Sequence, residues 1–68
     1  MTTFNEAYQA KLSLKMILSQ YYWFAGVRID TEGNDYIVVV STSKADSFVQ
    51  KTIPIVHQGV SVKSDLAK

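Results

Sequence analysis

The spacing of apolar positions changes along the chain, and each change marks an element. Ala7, Ala10, Leu14, Ile17, Leu18 and Tyr21 recur at intervals of three and four. That period predicts a helix from about Phe4 to about Gln20, with this stripe laid on a sheet. Asn5, Glu6, Gln9, Ser13 and Gln20 fall on the opposite side, in water. Thr3-Phe4-Asn5-Glu6 fits a capping box, in which the Thr3 hydroxyl accepts the Glu6 amide and Glu6 reaches back. Phe4, Tyr8 and Leu12 form a second apolar row, with Lys11 and Lys15 between it and the main stripe. Either the helix has one wide apolar face whose lysines snorkel along the rim, or the second row meets another subunit.

After an aromatic run, Tyr21-Tyr22-Trp23-Phe24, the period shortens to two. Phe24 to Asp30 and Asp35 to Thr42 read as two strands joined by the polar turn Thr31-Glu32-Gly33-Asn34. Ala25, Val27 and Ile29 are the natural core set of the first strand, and Gly26 marks a bulge or a close approach of backbone. The second strand is apolar on both faces, through Ile37 and Val39 on one and Tyr36, Val38 and Val40 on the other. A strand of that kind is central or covered on each side. One helix covers one face, so either Tyr36 and Val40 are exposed or a second surface covers them. Four successive large aromatics cannot all point inward either, because neighbours in a helix or strand diverge.

Ser43-Lys44-Ala45-Asp46 is a second helix start, predicting a short helix over Lys44 to Lys51 with Ala45, Phe48 and Val49 inward. It stops before Pro54, which disfavours helix at Ile53. Ile53 to Val56 is a connector or a single turn, and His57-Gln58-Gly59 a turn. Val60 to Lys63 alternates as a short last strand, followed by a polar tail, 64–68, that frays. The expectation is a single α+β domain over 1–68, with the order α-β-β-α-β. It has a three-stranded sheet, an antiparallel hairpin plus a short C-terminal strand, packed against two helices. The last strand most simply pairs beside the first. A parallel pairing there would make the link a right-handed crossover carrying the second helix.

Gly26-Val27-Arg28-Ile29, Tyr36-Ile37-Val38-Val39-Val40, Ile53-Pro54 and Gly59-Val60-Ser61-Val62 together resemble small α-β-β-α-β domains. In those domains a G-V-x-I strand is answered by an I/L-P…G-V-x-V ending. The resemblance covers about Trp23 to Lys63 and implies that Pro54 and Gly59 shape the entry into the last strand. It implies a fold and no common activity. The sequence departs from the pattern at His57-Gln58, where acidic residues are usual.

Composition narrows what such a domain can do. The 68 residues contain no cysteine and one histidine, which removes disulfides and Cys- or His-rich metal sites. Seven basic and six acidic side chains give a net charge of +1, without the basic stripe of a nucleic-acid binder. The start lacks the basic region of a signal peptide, and the richest apolar window, Met16 to Val27, is too short to span a bilayer. The expectation is a cytoplasmic protein without a membrane segment.

No catalytic constellation emerges. His57 has no cysteine to activate, and Ser61 or Asp65 would reach it only through the fold. Asp30, Glu32 and Asp35 crowd the hairpin turn but miss the spacing of a calcium loop, which needs Gly at its sixth position and Glu at its twelfth; counted from Asp30, these are Asp35 and Ser41. The reading is therefore not an enzyme, with no cofactor and no metal. Tyr8, Leu12, Tyr22, Trp23 and Tyr36 are the candidate interface, because aromatics bury much area at little entropic cost. The expected role is a protein-interaction module acting through an exposed aromatic sheet face or edge on a protein partner or on itself as a homodimer. The alternative is weak nucleic-acid binding by Arg28 and lysines beside Tyr22 and Trp23; the interleaved Asp30, Glu32, Asp35 and Asp46 oppose it.

Overall fold

Thr3 opens the first helix as its pattern requires. In this computed structural model, which describes residues 2–44 and 46–66, α1 runs over Phe4–Leu18. The Glu6 amide donates to Thr3 Oγ1 at 3.2 Å, and the Thr3 amide donates to Glu6 Oε1 at 3.0 Å, closing the capping box. Ala7, Ala10, Leu14 and Leu18 are buried, but Ile17, expected in the same stripe, is half exposed. The buried stripe is narrow and lined by two alanines, which lets the helix lie close to the sheet.

The hairpin is β1 (Phe24–Glu32) and β2 (Asp35–Thr42), antiparallel, with Glu32 opposite Asp35. Of the two turn residues, only Gly33 takes a positive φ, 62°. The register slips between Phe24 and Gly26, leaving Ala25 as an exposed extra residue. This bulge corrects the predicted alternation. It moves Phe24 onto the helix side with Val27 and Ile29, which all pack against the core, and turns Ala25 out.

Asp46, not Ser43, caps the second helix, α2 (Ser47–Thr52), by accepting the Val49 amide at 2.9 Å. Ala45 lies outside the described residues. Val49 is buried as expected, whereas Phe48 is exposed, since successive residues of a helix point to different sides. Ile53 is extended (φ −81°, ψ 120°), as the residue before Pro54 must be.

A fourth strand corrects the expected three. β3 (Val56–His57) pairs antiparallel with β4 (Val60–Leu66) through a two-residue loop, Gln58-Gly59, in which both residues have positive φ (53° and 78°). Two such angles are those of a type I′ turn. β4 continues through Ser64, Asp65 and Leu66, so the expected tail is paired strand as far as the described residues extend.

The sheet order is β1-β2-β4-β3, with β4 parallel to β2. The last strand therefore lies beside the second, not the first. The reason is the doubly apolar β2, which is shielded on both sides only at the centre of a sheet. Arg28, Asp30 and Glu32 suit β1 to an edge instead. The class is α+β, with the core between α1, α2 and one sheet face: Ala7, Ala10, Leu14, Leu18, Trp23, Val38, Val40, Val49, Ile53, Val60 and Val62.

A candidate docking site at the free edge of the sheet

The sheet face away from the helices decides where a partner can lie. Ile37 and Val39 point there, and both are only 5% exposed. Their neighbours in register are Arg28 and Asp30 on β1 and Lys63 on β4. Arg28 Nη2 reaches Asp65 Oδ2 at 3.1 Å and its Nη1 donates to Ser41 Oγ at 3.2 Å. Lys63 pairs with Glu32. Two ion pairs thus span β2, with their aliphatic stems beside its apolar side chains. Over Ile37 and Val39 the expected exposed sheet face is closed by the chain's own charged side chains.

The predicted interface residues are dispersed. Trp23 is 1% exposed, stacked on Tyr21 with ring centroids 4.9 Å apart, and belongs to the core. Its burial resolves the crowding of the aromatic run, since Tyr22 beside it is 78% exposed. Lys44 Nζ donates to the Tyr22 hydroxyl at 3.2 Å and sits 5.1 Å from the ring centroid. Tyr36 and Tyr8 are brought together by Phe4, whose ring lies edge-on to Tyr36 at 5.5 Å and stacks on Tyr8 at 6.2 Å. Leu12 is partly exposed, farther round the helix. Of the alternative set of Arg28 and lysines beside Tyr22 and Trp23, Arg28 is engaged by Asp65 and Trp23 is inside, while Lys44 lies against Tyr22.

What the fold does assemble is a cleft between α1 and the edge strand. Lys11, Lys15, Phe24, Ala25, Gly26 and Val27 line a cavity of about 320 Å³. Phe4, Tyr8, Lys11 and Lys15 recur at four, three and four, so they run along one flank of α1. Lys11 Nζ lies 5.6 Å from the Tyr8 ring centroid. The lysines have no carboxylate partner among the described residues. β1 ends the strand order, so one side of its backbone has no neighbouring strand. A Cβ built on Gly26 meets nothing within 4 Å, so no close contact there requires a glycine.

Sequence reasoning missed this cleft. Lys11 and Lys15 read as rim lysines, and their one-turn spacing was visible. Their position beside Phe24–Val27 depends on how α1 is laid across the sheet, which no local pattern gives.

His57 is half-buried rather than free in a turn. Its Nε2 lies 2.9 Å from Ser13 Oγ, a bond that ties α1 to the β3–β4 hairpin. Neither Ser61 nor Asp65 is the partner. No group of three or more His, Asp or Glu side chains able to hold a metal occurs among the described residues. No helix among them is long and apolar enough to cross a membrane. No family model, curated protein or solved structure matches this chain.

Proposed function

We propose that this chain is a non-catalytic, cytoplasmic protein-interaction module that takes its partner along the free edge of β1 and the cleft beside it. The observation that carries the reading is the nine-residue edge strand, unpaired on one side and flanked by an open cleft. An extended segment added to such an edge gains main-chain hydrogen bonds from the strand and side-chain contacts from the adjoining groove. Phe4 and Tyr8 on the same helix flank, with Tyr36 of β2 against Phe4, supply a partly exposed aromatic cluster. The absence of catalysis is supported by Ser13 and His57, the nearest thing to a nucleophile–base pair. Neither ring nitrogen nor hydroxyl has a carboxylate partner among the described residues, and neither residue lines the cleft. A chain without cysteine has nothing that depends on an oxidising compartment.

The test is photo-crosslinking in cells that make the protein. A photoreactive side chain at Ala25, on the bulge, should capture a discrete partner or a second copy. The same group at Ser61, on the roofed face, should not. Equal capture from both positions, or capture from Ser61 alone, would defeat the reading.

A further inference from the structure

Resting on that reading, we infer that the β1 edge takes an extended acidic peptide carrying carboxylates on alternate residues, which meet Lys11 and Lys15. The chain deals unequally with its cations. Arg28 and Lys63, on the roofed face, each hold a carboxylate of their own. Lys11 and Lys15 line the cleft beside Phe24 and Val27 and hold none among the described residues. Two ammonium groups over a partly apolar floor beside open strand backbone complement an anionic strand.

Spacing selects the pattern. Lys11 and Lys15 are four residues apart on α1, about 6 Å along the helix axis. Alternate residues of an extended strand share a face and repeat at about 6.6 Å. A strand laid on β1 with acidic side chains at positions i and i+2 therefore presents one carboxylate to each lysine, while the intervening side chains face the other way. Adjacent acids would put only one of the two on the helix side.

The same geometry argues against a second copy as the occupant. On the helix side β1 carries Phe24, Val27, Ile29 and Thr31, with no carboxylate among them. Two-fold pairing of β1 with β1 would bring each copy's α1 flank toward the other and offer Lys11 and Lys15 only more lysines. The acid must come from another chain.

The probe is a fluorescein-labelled peptide of alternating threonine and glutamate, nine residues long to match β1. Its controls are the same peptide with glutamine for glutamate and one with its glutamates adjacent. Anisotropy titrations at low ionic strength should show the alternating acidic peptide binding about tenfold more tightly than the glutamine peptide, the effect expected of two exposed charge contacts. K11Q/K15Q should lose about the same factor, and salt should erode it. Amide exchange across 24–31 should slow when the acidic peptide is bound. Failure of the acidic peptide to bind overturns the inference, as does undiminished binding by K11Q/K15Q. If the glutamine peptide binds equally well and protects β1, the acidic preference falls while docking at the edge stands. Crosslinking from Ala25 judges that docking independently of any peptide.

Discussion

Arg28 and Asp65, thirty-seven residues apart in sequence, meet at 3.1 Å across the strand that separates them. Both side chains are about half exposed, so the charge pair itself contributes little, about 0–1 kcal/mol. Its larger effect is to hold the Arg28 stem beside Val39. R28A should therefore lower stability by about 1 kcal/mol, whereas R28M, which keeps the stem, should recover most of that loss. Urea denaturation of the two variants checks this. Equal destabilisation would mean that the charge, not the stem, matters.

Trp23 is the most exacting packing position. W23A should cost about 3–5 kcal/mol, enough to unfold a domain of this size. The indole Nε1 is buried with no acceptor among the described residues. W23F removes that orphan donor and keeps an aromatic ring beside Tyr21, so it should cost much less than W23A. Thermal melts followed by circular dichroism distinguish the two.

The capping box gives the domain an acid-sensitive end. Hydrogen bonds from the Thr3 amide and hydroxyl hold the Glu6 carboxyl below its ordinary value. A carboxyl lowered in the folded state stabilises the fold above its unfolded pKa. That contribution drains away as pH falls through the folded-state value. E6Q should flatten this part of the acid limb and leave the rest of the pH profile unchanged. Stability measured across the acid range reads the difference directly.

Gln58 and Gly59 test the last hairpin. Gly59 has open space around a built Cβ, so G59A is penalised by its φ of 78° alone and should cost about 1 kcal/mol. Gln58 already occupies a left-handed conformation that suits asparagine or glycine better. Q58N should gain up to about 0.5 kcal/mol. A loss on Q58N would mean that the Gln58 side chain has a role beyond the turn.

Local pattern was sufficient wherever one short stretch settles its own conformation. The Thr3–Glu6 cap, the helix through Leu14 and Leu18, the hairpin about Gly33 and the stop before Pro54 all depend on neighbours within a few residues. The doubly apolar β2 left open whether Tyr36 and Val40 are exposed or covered by a second surface; Val40 is buried and Tyr36 is partly exposed. What was illegible is the identity of the cover. The ion pairs join Arg28 to Asp65 and Lys63 to Glu32 across 37 and 31 residues. They form only because β4 lies parallel to β2 and not beside β1. The two-residue β3 escaped notice because Val56-His57 has too few positions to show a period, and it is defined by its pairing with β4.

The sequence by itself determined the α+β class, the element order apart from β3, and the absence of any cysteine-based chemistry, because composition, period and capping act at short range. Only the tertiary structure decided that Trp23 is inside, that the outer face of β2 is roofed, and that Lys11 and Lys15 stand over a cleft beside Ala25. Each of those depends on which elements lie side by side, and that choice is made by burying the whole chain's apolar surface at once.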